Sequence, residues 1–362
     1  MKPAISAHPT LPRRISLVAQ TIQSLSDGIR KGFWLKFLPG ERELCALLQV
    51  SRPTLRAALL ELERRGLLEG TERKRRRIRS RRTAAGGSGS RKVVGMLLPS
   101  SFWALSPLAS FIIDAVRDNL AAADCTPQLH VSEACFSGRP ERVLEKLVQE
   151  HPATAWLVFS SRDPMQRWFV RQRLPCLIMG SARPDVLVPS IDADHRAACR
   201  HAGGLFLRKG RKHIAIVLPA GAYGGDLDSE AGMQEALAGV PDASLRVLRH
   251  DGTANHLQGL LDDAVHSRNP PTAYLVARGV HVLTVMTYLL GSGKRIPHDA
   301  AVIARDNDPF IQAIVPAVSR YAINPAQFAR RVSKAMRQLV ETGALEPKPI
   351  RLIPSFLPGE TV

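Results

Sequence analysis

LPGERELCALLQVSRPTLRAALLELERRGLLE, residues 38–69, holds two helical patterns separated by a break with room only for a turn. Leu44, Leu47 and Leu48 recur at i, i+3 and i+4 while Glu41, Arg42 and Glu43 stay polar, so the first pattern lays one apolar stripe along a helix. Gln49 and Val50 fill the turn. Ser51 has the chemistry of an N-cap, because its hydroxyl accepts a hydrogen bond from a free backbone N–H, and Pro53 falls in the first turn, where a missing N–H costs least. The second helix directs Leu55, Ala58, Leu59 and Leu62 inward at i, i+3, i+4 and i+7, and Gly66 is placed to end it. Ser51, Arg52, Pro53, Thr54 and Arg56 then stand at the start of a helix whose free N–H groups favour phosphate and which fits a DNA major groove.

Upstream, Val18, Ile22, Leu25 and Ile29 share one helical face between Ile15 and Lys31, and Gly32 suits the C-terminal cap. Downstream runs GTERKRRRIRSRR, residues 70–82, in which Arg73, Lys74, Arg75, Arg76, Arg77 and Arg79 offer charge to phosphates or a minor groove. Arg42 is a further candidate phosphate contact. The run ERELCALLQVSRPTLRAALLELERRGLL resembles the winged helix-turn-helix of GntR-type transcription regulators, over residues 15–79. That resemblance implies a two-stranded wing after Glu69 with a Gly-x-Gly tip; here Gly70 stands alone, a departure that leaves a short wing, a wing ordered only on DNA, or a solvated charged linker.

The chain has 362 residues, enough for two or three domains, and a formal net charge of +18 that is unevenly spread. Residues 1–92 hold 21 Lys+Arg against 7 Asp+Glu, or +14; the other 270 hold 29 against 25, or +4. The basic surface is therefore the N-terminal quarter, and a polyanion is its economical partner. No 18-residue apolar run and no apolar leader-like segment occurs, which argues against a membrane span or secretion and for a cytoplasmic protein. Cys45, Cys125, Cys135, Cys176 and Cys199 are odd in number and never spaced C-x-x-C, the pattern of reduced core cysteines.

Composition divides the chain into a Pro-rich disordered tail (1–14), the helix-turn-helix (15–79), a flexible linker (80–91, containing TAAGGSGS) and a second domain (92–362). In the last, strands at 93–98, near 129, at 155–159, 176–180, in VPSID (188–192), 213–218, 244–248, 272–277 and 300–304 alternate with helices at 107–123, 139–149, 165–171, 193–208, 228–238, 255–266 and 280–290. Such alternation means an α/β fold with parallel sheets covered on both faces, and this length suggests two doubly wound lobes.

The landmarks of residues 92–340 resemble the periplasmic sugar-binding-protein-like effector domain of LacI-type regulators. VPSIDADHRAACRHAGGLFLRKGRKHIAIV follows the family through Asp192, Gly210 and His213, and PPTAYLVARGVHVLTVM and GSGKRIPHDAAVIARDNDPF follow in order. The resemblance implies a small-molecule effector, a sugar or sugar derivative, held at the strand ends; the candidate lining residues are Ser100, Ser101, Phe102, Trp103, Ser160, Ser161, Tyr223, Arg278 and Asp306. Two positions depart. Ser229 stands where sugar-binding members carry Arg, and Arg278-Gly279 where they carry Asn-Asp. Arg278 offers a guanidinium to a carboxylate or phosphate instead.

Catalytic signatures are missing: GAYGGDLDS, residues 221–229, lacks the Lys-Ser/Thr of a P-loop, and no H-E-x-x-H or G-x-S-x-G occurs. Asp192, Asp194, His195, Cys199 and His201 fit no common metal-ligand spacing. The sequence therefore predicts a non-enzymatic, cofactor-free, homodimeric DNA-binding regulator, acting as a repressor by the habit of the resembled families. The rival is a DNA-binding protein whose effector lobes are a ligand-free dimerisation scaffold, a reading that Ser229 and Gly279 favour.

Overall fold

The computed structural model describes residues 17–30, 34, 37–64, 66–69, 76–78, 92–100, 105–221 and 223–362. Two compact units divide at Ser90/Arg91. The expected tail and linker, the wing tip with Arg73, Lys74, Arg75 and Arg79, and the candidate residues Ser101, Phe102 and Trp103 lie outside the described residues.

In the first unit, α1 (Leu17–Arg30), α2 (Glu41–Leu48) and α3 (Arg52–Arg64) close around Ile22, Leu25, Leu38, Leu44, Leu55, Ala58, Leu59 and Leu62. The turn works as its chemistry requires: Gln49 is left-handed at φ 52°, and the Ser51 hydroxyl accepts from the Thr54 N–H at 3.3 Å. Leu47 departs from the expected stripe. It is 62 % exposed, because α2 is only two turns long and Leu44 already faces the core. β1 (Leu68–Glu69) and β2 (Arg77–Ile78) pair antiparallel as a short wing stem that adds Leu68 and Ile78 to the core.

The second unit has two six-stranded sheets. One contains β3 (Val93–Leu98), β4 (Thr126–Val131), β5 (Ala155–Phe159), β6 (Cys176–Met179), β7 (Ser190–Ala193) and β13 (Pro349–Leu352), all parallel in the order β13-β7-β6-β5-β3-β4. The other contains β8 (His213–Pro219), β9 (Ser244–His250), β10 (Ala273–Val276), β11 (Ala301–Ala304), β12 (Ser319–Ala322) and β14 (Ser355–Leu357), in the order β14-β12-β11-β10-β8-β9 with only β14 antiparallel. In each sheet the chain begins at an inner strand, moves to one edge and then returns past the start, which creates a switch point with open strand C-termini.

Helices cover both faces of each sheet: α4 (Pro107–Ala122), α5 (Glu141–Glu150) and α6 (Asp163–Arg171) in the first lobe, α7 (His195–Arg208), α8 (Gly224–Leu237), α9 (Ala254–Val265) and α10 (Gly279–Gly291) in the second. α11 (Pro325–Thr342) follows β12 yet packs Phe328, Val332, Met336 and Leu339 into the first lobe's core. The lobes are thus joined three times, by β7 to α7, β12 to α11 and β13 to β14.

α8 corrects the sequence reading. It begins at Gly224, four residues before the expected start, and so takes in Gly224 and Gly225. The glycines serve close approach: a Cβ on Gly224 would lie 2.6 Å from the Ala182 carbonyl and 2.7 Å from that of Ser181, and one on Gly225 2.8 Å from the His195 ring.

Candidate functional site

In the head, Arg42, Ser51, Arg52, Pro53 and Arg56 are exposed, and Thr54 is half-buried with its hydroxyl 2.8 Å from that of Ser51. Arg56 keeps 62 % of its side chain exposed while its Nε donates to Glu41 Oε2 at 2.9 Å. Arg76 is held within the head. The sequence counted it among the cations offered to DNA, but its Nε donates to Glu63 at 2.6 Å and its Nη1 to Glu41 at 3.0 Å, with 23 % of its side chain exposed. It is a strut tying the wing stem to α2 and α3, and hydrogen bonds from Arg56 and Arg76 lower the Glu41 pKa. Arg77 lies in β2, its side chain outside the described set. Arg76→Ala is expected to cost the head roughly 1–2 kcal/mol, against less than about 0.5 kcal/mol for exposed Arg52→Ala; urea unfolding monitored by circular dichroism compares the two.

At the strand C-termini of the second unit lies a cavity of about 550 Å³, bounded by both lobes. Ser160, Ser161, Tyr223, Arg278 and Asp306 line it, as the sequence expected. Ser100 is half-buried beyond β3 and is not among the lining residues. The first lobe's wall is held by hydrogen bonds made below the surface. Buried Gln166 donates to Ser161 Oγ at 3.0 Å and accepts from the Arg183 N–H at 2.9 Å, which fixes the rim. Asp192 accepts from Ser181 Oγ at 2.8 Å and from the Ala193 N–H at 2.8 Å, with His195 Nε2 3.4 Å away. Burial alone would raise its pKa, but these partners bring it down to about 2.

The second lobe's wall centres on Asp226, fully buried in the first turn of α8. Its Oδ2 accepts from Arg278 Nη2 at 3.0 Å and its Oδ1 from Arg305 Nη1 at 2.8 Å. Arg305 Nη1 also donates to Ser229 Oγ at 2.8 Å, its Nε stands 3.4 Å from Asp306, and only 3 % of its side chain is exposed. Despite burial, the two guanidiniums hold the Asp226 carboxyl below its usual pKa, and Asp306 and Asp226 raise that of Arg305. At the rim Arg162 reaches across the lobes, donating to Tyr223 Oη at 2.9 Å. Asp192, His195, Asp226, Arg305 and Asn307 also line the cavity and were not among the candidate lining residues; Asp226 and Arg305 drew no notice in the sequence. The signal available was a charged residue closing an otherwise apolar strand, as Arg305 closes AVIA.

Behind Arg278 sits a histidine pair. His250 ends β9 and His281 lies in α10, both buried, with ring centroids 4.0 Å apart. The Gly252 N–H donates to His250 Nδ1 at 3.1 Å, which leaves the proton on Nε2. Burial first, then His281 and Arg278, push the His250 pKa from 6.5 down to about 4. The unfolded chain therefore takes up a proton that the native state refuses between those values, so stability is full above pH 6.5 and falls as pH drops through that window. The expected loss is on the order of 3 kcal/mol. His250→Asn keeps an acceptor for Gly252 and removes the titration, so its denaturation midpoint should vary less between pH 6.5 and 4.5; an unchanged slope would contradict the assignment.

Among the described residues no group of three or more His, Cys, Asp or Glu is arranged to hold a metal, and no helix is long and apolar enough to cross a membrane. Asp194, considered as a ligand, caps α7 by accepting from the Ala197 N–H at 2.9 Å.

The chain thus joins a winged helix-turn-helix to a two-lobed, doubly wound domain whose interlobe cavity is lined in part by charged side chains. Residues 17–86 match the family model described as bacterial regulatory proteins, gntR family, and residues 204–362 match that of the periplasmic binding protein-like domain. The first model covers the head and the second the latter part of the two-lobed unit. Among solved structures the chain is similar to the transcriptional regulator CelR in complex with cellobiose, at 17% identity and TM-score 0.66 over 90% of this chain and 100% of that one. It is also similar to a LacI family transcriptional regulator from Enterococcus faecium with bound ribose, at 18% identity and TM-score 0.61 over 75% and 98%, and to transcription regulator CcpA of Lactococcus lactis, at 16% and 0.65 over 75% and 99%. At these identities the likeness concerns the fold. No curated protein matches the sequence.

Proposed function

We propose that this protein is a sequence-specific DNA-binding transcription regulator, acting as a repressor, whose operator affinity is set by a sugar or sugar derivative bound between the lobes. The observation that carries the reading is the interlobe cavity, walled by charged groups already held in place, on the same chain as a helix-turn-helix with Arg52 and Arg56 exposed. Pre-positioned polar groups spare a ligand the entropy of ordering them. The sugar-bound relatives support the ligand class.

The proposed protein is cytoplasmic, homodimeric and without catalytic activity or cofactor. Val280, Leu283 and Leu290 support the dimer: they form one row along α10 and are 58, 41 and 48 % exposed, an apolar face suited to a second copy. Arg52, Thr54 and Arg56 read base edges in this proposal, while Arg42 and the basic run from Arg73 to Arg77, less Arg76, contact phosphates. Gly279 speaks less strongly for a ligand-free scaffold than the sequence implied. A Cβ there would lie 2.4 Å from Asp308 Oδ2 and 3.0 Å from its Cβ, so glycine lets α10 start close against Asp308.

The test of the head is Arg52→Ala. On a site selected from random duplexes, the variant is expected to lose discrimination at one base position worth roughly 1–3 kcal/mol. Equal discrimination by both proteins would remove Arg52 from the readout.

A further inference from the structure

The cavity's charges are arranged to cancel. Among the described residues, its lining includes the acidic and basic side chains of Asp192, His195, Asp226, Arg278, Arg305 and Asp306. Both arginines face Asp226, one on each carboxylate oxygen, and Arg305 Nε also faces Asp306. Among these groups three carboxylates face two guanidiniums, and neither Arg278 nor Arg305 offers an uncompensated charge; Arg162, at the rim, is engaged with Tyr223 Oη rather than with a carboxylate. A phosphate or carboxylate arriving at Arg278 would have to compete with Asp226, already 3.0 Å from Arg278 Nη2 and immobile in the first turn of α8. A neutral hydroxyl needs only one of the remaining N–H groups of Arg278, whose side chain is 34 % exposed, or an oxygen of Asp306, 29 % exposed.

Resting on the reading that this cavity takes a small ligand, we infer that Asp226, assisted by Asp306, determines specificity by excluding anions: the site takes neutral sugars and rejects sugar phosphates and sugar acids. This reverses the expectation from the sequence, where Arg278 considered by itself offered a guanidinium to an anion. A guanidinium already paired with a carboxylate attracts anions weakly, because a second negative charge a few ångströms from the first is repelled at the low dielectric of a partly enclosed site.

The inference makes a gain-of-function prediction. Asp226→Asn keeps the shape of the side chain and removes one negative charge between two guanidiniums. Inorganic phosphate is the probe, measured by isothermal titration on the full chain. Because the basic head also attracts phosphate, the informative quantity is the binding that Arg278→Met abolishes. In the wild type that component should be absent. In Asp226→Asn it should appear, with phosphate bound at least about tenfold more tightly than by the Asp226→Asn/Arg278→Met double variant. Asp306→Asn, more exposed and not the buried partner of both arginines, is the second variant should Asp226→Asn fail to fold, and it should gain in the same direction.

Arg278-dependent phosphate binding by the wild type would overturn the inference, as would folded variants that gain none. A thermal-shift panel of neutral monosaccharides and disaccharides, run on the same proteins, separates this failure from that of the underlying reading. Stabilisation by a neutral sugar without the phosphate gain refutes only the anion filter, whereas the phosphate gain without any sugar response refutes only the effector role.

Discussion

Arg305→Leu is expected to destabilise the second unit by about 3–5 kcal/mol, the largest effect of any single substitution proposed for this chain. The change strands Asp226, fully buried, with Arg278 as its remaining cation, and takes from Ser229 Oγ the N–H that it accepts at 2.8 Å. The cost comes from leaving a buried charge under-compensated, so replacing both partners should be milder than replacing one. Urea unfolding of Arg305→Leu against Arg305→Leu/Asp226→Leu checks the point. A single variant within about 1 kcal/mol of wild type would mean that the ion cluster is hydrated and dispensable.

Gly232→Ala should follow closely. A Cβ at Gly232 would lie 2.1 Å from the Arg196 carbonyl oxygen and 2.9 Å from its carbon, both backbone atoms of α7, so the helices must separate. Overpacking of this kind costs about 2–3 kcal/mol. It should also reach the cavity, because α8 carries Asp226 in its first turn and Tyr223 at its N-cap. A sugar that stabilises the wild type should therefore bind the variant several-fold more weakly. Unchanged stability and unchanged sugar affinity would show that α7 and α8 part without strain.

What the sequence disclosed and what it hid divide by the range of the interactions. The head was legible because its determinants are local: the Ser51 cap and the spacing of Leu55, Ala58, Leu59 and Leu62 all lie within a few residues of one another. The central strands were equally clear, since parallel strands buried on both faces read as continuous apolar runs such as VVGMLL and AWLVF. The early start of α8 was hidden because Gly224 and Gly225 answer to Ser181, Ala182 and His195, which sequence order does not bring near. β13 and β14, four and three residues long, exist through pairing with β7 and β12, and no periodicity announces so short a strand.

The cavity showed the same limit. Strand-end rules located Ser160, Ser161, Tyr223, Arg278 and Asp306, but Arg305 looked like any basic residue after a strand until Asp226, 79 positions away, met it. Arg76 was hidden among like charges, and only the fold separates the cation held by Glu41 and Glu63 from its neighbours in sequence.

The central claim is that one molecule couples a sugar site to a DNA site. The most direct measurement is operator affinity of the full chain, by fluorescence anisotropy on a duplex recovered by selection, without and with a saturating neutral sugar that raises the melting temperature. The account predicts a change in the DNA Kd of about 5- to 150-fold, and by linkage the same factor in the sugar Kd when DNA is present. A sugar that binds the protein and leaves operator affinity unchanged would contradict it.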